Sequence, residues 1–253
     1  MKKKNGAVLV LAALAMLFLA VGTLLSGVWA TAINPALYGE MSRQMVEEEQ
    51  GDASAYLGLT EDEQAQAARE ISAFLSDGKY GGEEGLVLQR ADGTLLLSER
   101  ESLHMKDVRG ILTTGNKLSR VLLYLSAALA VVCAWVAAGK PHRVRTVFLG
   151  ALIGLGVFAL LAGGGVLYEK SVGFDAAFRA LHELLFTNDL WLLDPETDLL
   201  LRMMPLTLFE QAAGLAVKKA AGVFAVGVSM LAAVYFLVDG MVFRHLTKKE
   251  EQA

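Results

Sequence analysis

Residues 121–168 read VLLYLSAALAVVCAWVAAGKPHRVRTVFLGALIGLGVFALLAGGGVLY, and the way this stretch divides decides the fold. Two uncharged runs, 121–138 and 146–168, flank a short basic joint that carries Lys140, Arg143 and Arg145. Each run is close to the roughly 20 residues a helix needs to cross the hydrocarbon core of a bilayer. Two such runs around a few basic residues predict a transmembrane hairpin. Its joint is expected in the cytoplasm, where basic loops are retained.

Outward from the hairpin, residues 7–29 and 220–238 are likewise free of charge. The 253-residue chain is 54% hydrophobic with mean hydropathy +0.44, so it reads as one integral membrane domain, with spans of about 7–29, 121–138, 146–168 and 220–238. Lys2, Lys3 and Lys4 before the first run, and Ala30-Thr31-Ala32 after it, are features that a cleaved signal peptide shares. The run exceeds the usual apolar stretch of about 7–15 residues in such a peptide, so it is expected to remain as an anchor.

Arg244, Lys248 and Lys249 follow the fourth run, which puts both termini on the side of the basic joint. Segments of about 31–117 and 169–217 then lie outside, with 16 acidic and 8 basic residues in the first and 8 acidic and 3 basic in the second. Lys218 and Lys219, at the outer end of the fourth run, are expected to snorkel to the interface. The acidic balance offers nucleic acid no electrostatic footprint. Cys133 is the sole cysteine and lies within a span, so neither a disulfide framework nor a cysteine metal site is expected. His182-Glu183-Leu184-Leu185-Phe186 lacks the second histidine of a zinc-protease helix, and no phosphate-binding glycine loop is present.

The first outer segment is expected to fold as a small α+β cap on an all-α, four-helix membrane bundle. Thr60 followed by Glu63 is a capping-box signal. Ala67, Ala68, Ile71, Phe74 and Leu75 then mark one helical face, with an end near Gly78. After the Gly81-Gly82 break, LVLQR and TLLLS flank Ala91-Asp92-Gly93, a pattern that predicts a β-hairpin.

Chemistry concentrates in two places. If 101–112 is helical, Glu101, His104 and Asp107 fall at i, i+3 and i+6, so either carboxylate can orient the imidazole as a general base requires. In 173–186, Phe174, Phe178, Leu181 and Leu185 form one apolar stripe with His182 at its margin. Asn188, Trp191 and the Asp194-Pro195 turn follow, gathering hydrogen-bonding groups where the chain returns to the membrane. His142 and His245 sit in the basic cytoplasmic stretches, whereas His104 and His182 are both outside and can meet there. Residues alone favour a non-enzymatic membrane module that binds a protein or lipid partner through its outer cap. A divalent-metal site on His104, His182 and nearby carboxylates is a weaker alternative, because no dense ligand spacing accompanies them.

His104-Met105 with Asp107-Val108, and above all His182, Phe186, Asn188, Trp191, Asp194-Pro195, Asp198 and Pro205, resemble the lipoprotein intramolecular transacylases. These are four-helix membrane proteins of Gram-positive bacteria, and the likeness in helix layout covers nearly the whole chain. Leu181 and Leu208 stand where that pattern leads one to expect aromatic residues, a difference of packing.

The resemblance implies a cofactor-independent acyltransferase. Its substrate is a lipoprotein with an S-diacylglyceryl N-terminal cysteine, whose sn-2 acyl chain moves to the α-amine. It also implies that His104 and His182 are catalytic. Asn188, Trp191 and Arg202 are the side chains expected to hold substrate or oxyanion, with Glu101 and Asp107 as orienting carboxylates.

Overall fold

The computed structural model describes residues 2–76 and 85–250. Its helices are α1 (Lys2–Ala32), α2 (Ser42–Gln50), α3 (Ala53–Leu57), α4 (Glu61–Ser76), α5 (Glu99–Ala137), α6 (Pro141–Val172), α7 (Phe174–Leu185), α8 (Leu199–Met203) and α9 (Leu206–Glu250). A π-helical turn, Leu37–Met41, precedes α2. The four helices α1, α5, α6 and α9 are long and apolar enough to cross a membrane, and the chain is a multi-pass membrane protein.

The chain forms two compact units. One comprises 1–26, 117–167 and 219–253, the other 27–116 and 168–218.

In the first unit α1 is the hub. The Ser119 Oγ of α5 donates to the Gly22 carbonyl at 2.7 Å, and the Ser126 Oγ donates to the Ala15 carbonyl at 2.8 Å. Such side chains join apolar helices where water offers no competing partner. Gly150 and Gly154 of α6 lie against the backbone of α1, where a Cβ on either would strike the carbonyl oxygen of Leu9 or Ala13. This is the small-x-x-x-small contact of membrane helices, in which the missing side chain lets two backbones approach. On α9, a Cβ at Gly227 would meet the Leu19 side chain. Each neighbour of α1 thus uses a small or hydroxyl residue to reach it.

In the second unit the capping box is formed. The Thr60 N–H donates to Glu63 Oε2 at 2.8 Å and the Glu63 N–H donates to Thr60 Oγ1 at 3.3 Å. The expected apolar face of α4 (Ala67, Ala68, Ile71, Phe74 and Leu75) is buried, against Val46, Leu88, Met203 and Leu208 among others. Hydroxyl-to-carbonyl bonds fasten the layers: Ser72 to Ile33 at 2.6 Å, and Ser42 to Met203.

The cap is helical rather than α+β. Gly78 and Gly81-Gly82 lie outside the described residues, but the expected hairpin does not. The turn at Ala91-Asp92-Gly93 forms, with Gly93 at φ +87° and Asp92 Oδ1 accepting from the Thr94 N–H at 2.9 Å. Pairing then stops at one antiparallel bridge, Gln89 with Leu95, and the described residues contain no strand. The reason is a second capping box: the Ser98 N–H donates to Glu101 Oε2 at 2.7 Å and the Glu101 N–H to Ser98 Oγ at 3.3 Å. It starts α5 so soon after the turn that the returning arm has only Thr94 to Leu97 in which to pair.

Candidate active site

His104 stands on the first turns of α5 and His182 near the end of α7, and the second unit brings them together. Their ring centroids are 6.2 Å apart. Phe186 lies beside both, at 5.2 Å from His104 and 5.4 Å from His182. Phe178 packs at 4.3 Å from His182 and at 4.8 Å from Phe209, and Trp191 lies 5.3 Å from His182. These rings line a cavity of about 250 Å³ that is otherwise apolar, with Tyr38, Leu75, Met105, Leu112 and Leu200 in its wall.

The two imidazoles differ in their bonding. His182 Nδ1 is 2.8 Å from the Phe178 carbonyl oxygen, one turn earlier on α7. A carbonyl only accepts, so Nδ1 carries a proton and, in the neutral ring, Nε2 carries the lone pair. His104 is buried, and among the described residues its Nδ1 meets no hydrogen-bond partner. Burial, reinforced by the neighbouring His182 and opposed by Asp107, pulls its pKa down to about 4; the residue lies well ahead of the uncharged run 121–138. Tyr38, which donates to the Ala32 carbonyl at 2.7 Å, is held far above the usual phenol range by burial.

Both carboxylates expected to orient an imidazole are engaged elsewhere. Glu101 is buried with Oε2 in the α5 cap and Oε1 accepting from the Leu200 N–H at 2.7 Å, where it serves the start of α8. Asp107 Oδ2 accepts from Asn188 Nδ2 at 2.8 Å. Among the described residues no hydrogen bond joins either carboxylate to a histidine. Helical spacing brought them near the ring, but stranded backbone donors and an amide proved the better partners.

Arg202 also departs from expectation. Its guanidinium reaches the Tyr56 carbonyl at 3.3 Å, and it is absent from the wall of the histidine cavity. Asn188 lines a separate, more open cleft with Lys106, Asp107 and Thr187, which meets the histidine cavity along Phe186. Of the three expected polar contacts, Trp191 alone stands in the cavity wall. Asp194 makes the expected turn, its Oδ1 accepting from the Glu196 N–H at 2.9 Å.

The sequence reading missed the aromatic and aliphatic enclosure. Phe178 had a signal, since it stands four residues before His182, but the stripe it belongs to reads as ordinary packing. Tyr38, Leu200 and Phe209 come from three distant parts of the chain and carried none.

The family model described as "Lipoprotein intramolecular transacylase Lit" matches residues 11–209. Among solved structures, the membrane integral lipoprotein intramolecular transacylase Lit from Bacillus cereus is similar at TM-score 0.64 and 18% identity, with 100% of both chains covered. Two forms of that protein with one histidine replaced, by arginine or by alanine, are similar at TM-scores 0.65 and 0.64 and 18% and 19% identity. They cover 100% of this chain and 96% and 97% of theirs. No curated protein matches the chain.

Proposed function

We propose, since the chain belongs to the lipoprotein intramolecular transacylase family, that it moves the sn-2 acyl chain of an S-diacylglyceryl N-terminal cysteine onto the α-amine of the same residue. The observation that carries this reading is the meeting of His104 and His182 in one aromatic cavity, 6.2 Å between ring centroids. The product is an N-acyl, S-monoacylglyceryl lipoprotein.

His182 is the base. An α-amine with a pKa of about 7.7–8.0 is mostly protonated at neutral pH and attacks an ester only once deprotonated. That first proton goes to water, and with Nδ1 held by the Phe178 carbonyl, Nε2 takes a second proton from the nitrogen as it bonds to carbon, so that the product is a neutral amide. The amine nitrogen bonds to the sn-2 ester carbonyl carbon, and the carbonyl electrons move to oxygen. When that oxygen re-forms its double bond, the bond from carbon to the glyceryl oxygen breaks. The leaving glyceryl oxygen then receives the proton from His182. No acyl-enzyme forms, and ester-to-amide conversion runs downhill.

His104 is the neutral partner. An imidazole held uncharged by burial keeps one N–H to offer the tetrahedral oxyanion, and the Trp191 indole N–H is a second candidate donor in the same wall. The rest of the task is orientation, because amine and ester belong to one molecule. In well-aligned intramolecular reactions that accounts for up to roughly 7–11 kcal/mol of barrier. The largely apolar cavity suits an acyl chain.

Both termini lie in the cytoplasm and the histidines at the outer leaflet, a topology supported by Lys140, Arg143 and Arg145 in the joint between α5 and α6. The partners are diacylglyceryl lipoproteins and membrane lipid. The test uses a host with diacyl lipoproteins and no competing N-acylation, with lipopeptides from that host fragmented by tandem mass spectrometry. Transfer leaves the parent mass unchanged and yields an N-acylated cysteine fragment. A free amine on an abundant lipoprotein, with the protein inserted, would overturn the reading.

A further inference from the structure

Helix α7 has three sides. Successive residues on a helix turn by about 100°, so positions three and four apart share a side. Phe178 and His182 share one, and both stand in the wall of the histidine cavity. Asp175, Arg179 and Glu183 share the second, which is charged and exposed. Leu181 and Leu184, with Ala177, share the third, and there Leu184 is 81% exposed and Leu181 48%. Two leucines left bare beside a charged side are costly to hold in water, because apolar surface is driven out of it.

What covers them follows from the chain. α6, a span candidate, ends at Val172, and α7 begins at Phe174, so Gly173 alone joins them. Gly173 sits at φ +86°, a conformation that lets the chain leave one helix and enter the next without an intervening loop. Val172 and Tyr168, at the end of α6, are exposed apolar residues as well. Beyond the uncharged run, which ends at 168, α6 adds one helical turn (169–172) before the single linker residue, so α7 begins within about one turn of the level at which that run ends.

We propose that α7 is an in-plane interfacial helix, seated on the bilayer through Leu181 and Leu184, with Arg179 and Glu183 in water and His182 turned toward the cavity. The occupant of the third side is lipid at the boundary between headgroups and acyl chains, where helices of this kind insert by about 5–10 Å. The inference does not depend on the reaction assigned above. If that reaction holds, it places the imidazole at the depth where the ester of a membrane-anchored substrate resides.

The test is site-directed spin labelling of the full-length protein in phosphatidylcholine–phosphatidylglycerol vesicles. Cys133 is the sole cysteine, so Cys133→Ala gives a background in which Leu181→Cys, Leu184→Cys and Glu183→Cys are each labelled once. Oxygen, which concentrates in the bilayer, should relax labels at 181 and 184 more than a water-soluble nickel chelate does. The order should reverse at 183. A label at 184 relaxed as strongly by the chelate as one at 183 would overturn the proposal. So would a label at 184 shielded from both agents, since protein rather than lipid would then cover that side.

Discussion

His182 Nδ1 lies 2.8 Å from the Phe178 carbonyl oxygen, and through that contact the backbone of α7 decides which imidazole nitrogen is left for the proposed chemistry. Because the bond uses a main-chain oxygen, substitution of the Phe178 side chain leaves it in place. Phe178→Leu should therefore retain the histidine tautomer and lower activity only through the altered cavity wall, by about tenfold or less. His182→Ala and His104→Ala should each lower lipoprotein transacylation by at least the 10²–10⁴-fold typical of general acid–base groups. His142→Ala, outside the second unit, should be nearly silent. The N-terminal lipopeptide assay measures all four.

Glu101 should behave as a structural group. Glu101→Ala strands the buried Leu200 N–H and opens the α5 cap, at a cost of about 1–3 kcal/mol per lost partner. Glu101→Gln retains one acceptor oxygen and should lie between the two. Thermal unfolding in detergent should order them wild type, Gln, Ala. An unaltered midpoint in the alanine variant would show that water replaces the carboxylate.

The Asp107–Asn188 bond, 2.8 Å long, crosses from α5 to the segment just after α7. Asn188→Asp places two carboxylates where an amide met one, so repulsion should draw the two segments apart and lower activity by about tenfold. Asp107→Asn, which keeps a hydrogen-bonding pair, should be milder. Added salt should narrow the difference, because the effect is one of exposed charge.

Acid should weaken the protein through His104. Its folded pKa, about 4, lies below the ordinary 6.5, so the unfolded chain takes up the proton first as pH falls. The contribution is intact above about pH 6.5 and is lost as the pH drops toward 4, with a ceiling of about 3 kcal/mol. Unfolding midpoints measured between pH 7 and 4.5 should fall less in His104→Phe than in the wild type. Parallel slopes would remove His104 from the acid response.

The spans were legible because a bilayer demands long uncharged runs, and 121–138 and 146–168 admit no other reading of comparable simplicity. The Thr60–Glu63 cap and the buried face of α4 were legible for a local reason: their partners lie within a few residues. The hairpin misled because the arms around Asp92-Gly93 were read without the Ser98–Glu101 box, which competes for the same residues and wins. The Glu101 contacts are hard to read for the opposite reason, distance, since its second partner is Leu200. The cavity enclosure of Tyr38, Leu200 and Phe209 has no sequence period at all and exists only once the chain has folded.

That same Glu101 carboxylate sets an order of assembly. Its cap partner, Ser98, is at hand as soon as it is made, but the Leu200 N–H lies 99 residues further on. At translation rates of about 5–20 residues per second, the acid waits roughly 5–20 s for a donor. During that interval the second and third apolar runs must enter the membrane and α7 must emerge behind them. The histidine cavity is thus among the later features of the nascent chain to mature, and a ribosome stalled before residue 200 would leave its wall without Leu200, Met204 and Phe209.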